Sequence, residues 1–175
     1  MADPAGPTPP PPPRPLHIRP LAERKNLVKK EEFAQVLPPV DGFLRWFEAL
    51  PDIYGSKSLK VVVDRIVTAR QQGREVGVSL GAHVLKVGLS PLLIDLLRRG
   101  LITHVATNGA SAIHDWETAY QGATSEDVAQ NLPDGSFGFW RETLDALNGA
   151  AVRADQRGEG LGEAIGKTIL EADLP

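Results

Sequence analysis

Hydrophobic and polar positions follow two different periods along this chain, and the change of period marks the elements. From residue 58, "SLKVVVDRIVTARQQG" places Leu59, Val62, Val63, Ile66 and Val67 at helical spacing. Ser58 is an N-cap type and Gly73 is suited to end the helix. "REVGVSLG" then carries a short apolar run, Val76 to Leu80, that reads as a buried strand. "AHVLKVGL" reads as a loop. "SPLLIDLLRRG" is a strong helix pattern: Ser90 at the N-cap, Pro91 in the first turn, Arg98 and Arg99 in the last, Gly100 beyond. "LITHVATN" is a second strand rich in β-branched residues. A strand, a helix and a strand within about 30 residues match a right-handed βαβ crossover, which predicts parallel neighbouring strands.

On either side of this block the pattern is more helical. "LAERKNLVKKEEFAQV" mixes charge with helix formers, and Lys29, Lys30, Glu31 and Glu32 read as a solvated helix face or loop. "LPPVDG" breaks the chain. In "FLRWFEAL", the spacing of Phe43, Trp46, Phe47 and Leu50 suits a helix face packed into the core. A helix is expected from near Ser111 through Tyr120. "ATSEDVAQNL" predicts another, capped by Thr124 or Ser125 with Glu126 and Asp127 in its first turn. "FWRETLDALNGAAVRA" and "LGEAIGKTILEA" predict two more. No internal repeat is visible. Many helices against two convincing strands is an imbalance, because a parallel sheet buried on both faces needs several strands.

Length and composition bound these elements. Residues 1–15, with five consecutive prolines, form a tail that favours polyproline II and buries no core. Residues 16–175 are expected to form a single α/β domain. The 175 residues suffice for one core, 42% are apolar, and the formal net charge is −3. No basic stripe with interleaved aromatics argues for nucleic acid. No apolar run is long enough to span a membrane, and no signal-peptide core is present. Cysteine is absent, which excludes disulfides, Cys-ligated metals and a cysteine nucleophile, and fits a cytoplasmic protein.

Candidate chemistry falls in the loops that leave the two strands, because ligands bind at the carboxyl ends of parallel strands. The first loop, Leu80 to Gly88, carries His83 and Lys86; the second, "TNGAS" from Thr107 to Ser111, precedes His114 and Asp115. Small residues let backbone N–H groups approach a phosphate or a planar ring, and a following helix N-terminus favours negative charge. No G-x-G-x-x-G or Walker pattern accompanies them. A metal-dependent hydrolase on His83, His114 and Asp115 is an alternative by ligand type, without an H-E-x-x-H pattern. Adjacent His114 and Asp115 point in different directions on a helix, whereas His114 and Glu117 share a face. Lys86 reads as a solvated loop lysine, His104 as a packed or sheet-exposed strand residue, and His17 as a bystander.

The block "GAHVLKVGLSPLLIDLLRRGLITHVATNGASAIHDWETAYQGATSEDV", with the opening "PLAERKNLVKKEEFA", resembles bacterial proteins of the deoxyhypusine synthase-like family. The likeness extends over most of residues 16 to 170 and is motif-like in the central block. It implies a Rossmann-like α/β domain that binds NAD, of which this chain is the N-terminal portion, and a homo-oligomer with sites near subunit interfaces. In the authentic synthase NAD oxidises spermidine, and an enzyme lysine receives the aminobutyl group and passes it to a lysine of a translation factor. The resemblance places His83 to Gly88 in the first cofactor loop, with Gly88 and Leu89 in register with the family's Gly-Leu. It places Thr107, Asn108 and Gly109 at the cofactor-contacting positions of a Thr-x-Ala-Gly-Gly loop. His114 and Asp115 fall near an acidic pair that holds the polyamine, and here that pair is a histidine and an aspartate. The family's catalytic lysine belongs to a C-terminal half and has no assignable counterpart; Lys86 is a poor substitute. The expectation is an NAD-linked transferase acting on a polyamine-like or other small polar substrate. The alternative is a non-catalytic fragment or binding module that needs a partner chain.

Overall fold

The computed structural model describes residues 17–33, 36, 38, 40–172 and 174. The proline-rich tail expected over residues 1–15 lies outside them. Four strands and eight helices are described: β1 (Asn26–Lys29), α1 (Asp41–Glu48), α2 (Tyr54–Gln71), β2 (Gly77–Ser79), α3 (His83–Lys86), α4 (Ser90–Arg98), β3 (His104–Ala106), α5 (Gly109–Gln121), β4 (Ala123–Glu126), α6 (Val128–Asn131), α7 (Arg141–Arg157) and α8 (Leu161–Glu171). The chain is mixed α/β and mostly helical.

β2 and β3 pair in parallel, Gly77 opposite His104 and Ser79 opposite Ala106, as the βαβ spacing predicts. Thr103 anchors the pair by accepting from Val76 N at 2.9 Å through its hydroxyl. At the other end, the Thr107 hydroxyl donates to Leu80 O at 3.0 Å and ties the two departing loops together. The expected Rossmann-like sheet is reduced to these two three-residue strands among the described residues. The second sheet is antiparallel and joins distant parts of the chain: β1 pairs with β4, Val28 opposite Thr124.

Three helices make the packed centre. Ala150 and Ala154 of α7 meet Ala164 and Ile165 of α8, and Ala112 of α5, Leu147 and Ile169 close around them. Alanines at the contact let the helix axes approach, and the apolar area is removed from water without loss of side-chain entropy. α5 ends at Gly122, whose φ of 67° supplies the left-handed turn into β4.

Several sequence expectations are corrected. "ATSE" forms β4 where a capped helix is expected, because pairing with β1 satisfies its backbone; α6 starts only after Asp127, whose carboxylate accepts from Gln130 N at 3.4 Å. α2 begins four residues before Ser58, so Ser58 lies within the helix. In α4, Leu89 takes the cap position and Ser90 is the first helical residue. "HVLK" is one helical turn rather than loop. The stretch from Leu21 to Glu32 forms two 3-10 turns flanking β1, and its Lys29 to Glu32 cluster is exposed as expected. In α1 the aromatic face does not enter the core: Phe43 is 61% and Trp46 57% exposed, the aromatic rings stacking on one another instead.

Candidate functional site

At 100° per residue, the side chains of α5 divide onto two sides of the helix. Ala110, Ile113, His114 and Glu117 share one side and border a cavity of about 450 Å³. Ser111, Ala112 and Asp115 lie on the other, beside a smaller cavity of about 180 Å³ that Thr107, Leu85 and Ile165 also line. His114 and Asp115 thus open onto different cavities, as their adjacency predicts, and do not act on one ligand atom.

The larger cavity rests on a buried polar network. Arg24, just after the first 3-10 turn, reaches Glu117 with two parallel hydrogen bonds, Nη1 to Oε1 at 2.7 Å and Nη2 to Oε2 at 2.8 Å. Both side chains are 2% exposed, and the guanidinium lies 5.5 Å from the Trp140 ring centroid, in cation–π range. Arg24 Nε also donates to Asn26 Oδ1 at 2.9 Å. Such a pair is tolerated in the interior because each guanidinium nitrogen and each carboxylate oxygen has a partner and the charges cancel.

The network continues to His114. The Thr124 hydroxyl donates to Glu117 Oε2 at 2.6 Å, and His114 Nδ1 lies 2.7 Å from Thr124 Oγ1. Thr124 has one hydroxyl proton and gives it to a carboxylate, so its oxygen accepts from His114 Nδ1–H. The neutral imidazole therefore carries its proton on Nδ1 and leaves Nε2 as an open acceptor. Burial lowers the His114 pKa below the ordinary histidine value; Glu117 opposes this, and Lys86, Arg24 and His83 add to it. Neutral His114 at pH 7, with a bare Nε2, has the properties of a general base.

The cavity's other walls are largely apolar, including Val128, Phe137, Leu144 and Leu147. Glu126, also in the lining, accepts three hydrogen bonds, from Gly138 N at 2.8 Å, Trp140 Nε1 at 2.9 Å and Asn131 Nδ2 at 3.1 Å. Ser125 also borders the cavity, is 6% exposed, and has a φ of 66° that a β-strand residue rarely adopts.

The residues assigned to cofactor by resemblance are placed as follows. Thr107, Asn108 and Gly109 lie exposed where β3 gives way to α5. Asn108 caps α5, its Oδ1 accepting from Ser111 N at 3.2 Å, and the Thr107 hydroxyl also contacts that of Ser111. Gly88 is buried, with a φ of 83°, and a Cβ there would lie 2.8 Å from the Phe33 ring; its smallness serves packing. His83 is exposed at the start of α3 and borders neither cavity. Burial pushes the Asp115 carboxyl above the usual range, a push that its remaining solvent contact weakens. Among the described residues, no three His, Asp or Glu side chains gather in a metal-holding group, so the His83, His114 and Asp115 reading has no geometric support.

Sequence reasoning missed Arg24, Thr124, Ser125 and Trp140. Arg24 and Glu117 are 93 positions apart, and no local pattern announces that pairing. One signal was present: Glu117 is a carboxylate on the same helix face as the apolar Ala110 and Ile113, a position that calls for a partner if that face is buried. No protein-family model, curated protein or solved structure matches this chain.

Proposed function

We propose that this chain is the cofactor-binding portion of a deoxyhypusine synthase-like transferase, with NAD across the carboxyl ends of β2 and β3 and a small polar substrate in the cavity beside His114. The observation that carries this reading is the parallel β2–β3 pair, from which α5 departs after only two residues. Gly81 and Gly109 leave their surroundings open, since a Cβ at either meets nothing within 4 Å. The first N–H groups of α5, at Gly109 and Ala110, have no intrahelical acceptor and suit a phosphate. Thr107 and Asn108 support this loop from below through their internal hydrogen bonds. When bound, NAD supplies a hydride acceptor. His114 Nε2 takes a proton from the substrate, and the Thr124, Glu117 and Arg24 chain holds its tautomer.

Calorimetry with NAD tests this reading. A Gly109→Asp variant adds a carboxylate where the phosphates would lie, at a helix start that tolerates it. NAD binding by the wild type, and at least tenfold weaker binding by the variant at unchanged melting temperature, is the expected result. No NAD binding by a folded wild-type chain rejects it.

A second reading, a module completed by another copy of the chain, draws on a separate observation. Large apolar side chains stay exposed on α1, α2 and α4, among them Phe43, Trp46, Val62, Ile94 and Leu97. Such surfaces mark interfaces. Sedimentation velocity then finds a concentration-dependent oligomer that Phe43→Ser with Trp46→Ser dissociates; a monomer at all concentrations rejects this reading.

A further inference from the structure

The larger cavity carries information about its ligand that the family resemblance does not. Its charges are unevenly committed. Arg24 and Glu117 neutralise each other, and Glu126 has three donors on its two oxygens. Lys86 lines the same cavity and makes no ion pair with a described residue. It lies close enough to His114 to act on its protonation. Ser125 adds a hydroxyl to the cavity lining, on a residue only 6% exposed and at a backbone position held in the left-handed region. A lumen with a lysine that has no ion-pair partner among the described residues, an open imidazole acceptor, a serine hydroxyl and apolar walls suits an anionic amphipath, the Glu126 charge being held by three hydrogen-bond donors of the protein. It is less suited to a polyamine, because Lys86 repels an ammonium, Arg24 cancels the Glu117 charge, and the Glu126 oxygens already accept three hydrogen bonds.

We propose that the cavity between α5, β4 and α7 binds a small monocarboxylate with an apolar body, its carboxylate on Lys86 and Ser125 and its apolar part against Phe137, Leu144 and Leu147. A donor group on that ligand, such as a hydroxyl, meets Nε2 of His114. This deepens the substrate side of the proposed function; it rests on the cavity of that reading and not on NAD. The volume of about 450 Å³ lies within the range of small-molecule pockets.

The test is a titration of isotope-labelled chain with phenylacetate, with the near-isosteric cation phenethylamine and with spermidine, followed by NMR. The expected result is phenylacetate binding with shifts at Ser125, His114 and Phe137. Lys86→Met weakens it at least tenfold, Lys86→Arg keeps it within about threefold, and neither amine binds there. Because Lys86 is only partly buried, both variants are expected to fold, and the Lys86→Arg chain controls for changes of shape. Equal or tighter binding of either amine at these residues overturns the proposal. So does phenylacetate binding that is indifferent to Lys86→Met, or none by the folded chain. Failure of NAD at Gly109 leaves this outcome untouched, since Gly109 is not in the lining of the cavity that Lys86, Ser125 and Phe137 report on.

Discussion

The Arg24–Glu117 pair is the residue-scale feature with the largest energetic consequence. Removing one member strands the other as an unpaired charge at a site only 2% exposed. Arg24→Met is therefore expected to cost about 3–5 kcal/mol, whereas Arg24→Met with Glu117→Leu recovers most of the loss because no charge then remains to be solvated. Urea unfolding of the two variants checks this; a double variant no more stable than the single one contradicts the account. The same pair shapes His114. Lys86 and Arg24 act against its protonation and Glu117 in favour of it. Lys86→Met removes a positive neighbour without touching the Thr124 bridge, so the His114 pKa, followed by NMR of the ring protons, is expected to rise. A fall, or no change, would mean that Lys86 does not face the imidazole. The sequence alone displayed His114 and its shared face with Glu117, because helical spacing is local. It did not display Arg24 or Thr124, because these arrive through strand pairing and a long-range ion pair that leave no trace in residue spacing.

At the scale of elements, legibility tracked how local each cause is. β2 and β3 were readable because short apolar runs near glycines, β-branched in β3, read as strands, and their parallel pairing follows from the helical crossover between them. β4 was not readable. "ATSED" has the composition of a helix start, and only β1, about a hundred positions away, supplies the partner that makes it a strand. Glycines divide in the same way. Gly88 and Gly109 look alike in a sequence motif, yet Gly88 is forced by a φ of 83° and by Phe33 at 2.8 Å, whereas a Cβ at Gly109 meets nothing within 4 Å. Gly88→Ala is expected to cost at least about 2 kcal/mol, from the left-handed backbone and the collision together. Gly109→Ala, in the first turn of α5, is expected to stay within about 1 kcal/mol of wild type. Thermal unfolding of the pair distinguishes them; an undisturbed Gly88→Ala chain would reopen the cofactor role for that glycine.

The whole molecule shows its shifted titratable groups through the pH dependence of its stability. Two side chains on opposite sides of α5 contribute with opposite signs. His114 is held below its ordinary pKa by burial, with Glu117, Lys86, Arg24 and His83 as its charged neighbours. Below about pH 6.5 the unfolded chain takes up a proton that the folded chain resists, so folding is progressively disfavoured as pH falls through that window. His114→Asn binds no such proton, and its stability is expected to approach or pass that of wild type on acidification from pH 7 to 5. Asp115 behaves inversely. Its carboxyl is held above the usual range, so the unfolded chain ionises first and wild type loses stability as pH rises through that higher value. Relative to Asp115→Asn, wild type is then at its best in acid, by a margin that the solvent contact of Asp115 keeps small. Urea unfolding of the three chains at half-unit steps from pH 4 to 8 reads both signs at once. The parallel pair and the helical centre are common to all three, so each difference curve reports one side chain. If the His114→Asn difference is flat across pH 5 to 7, the imidazole is not held neutral by the fold, and the general-base role assigned to it in the cavity falls with that result.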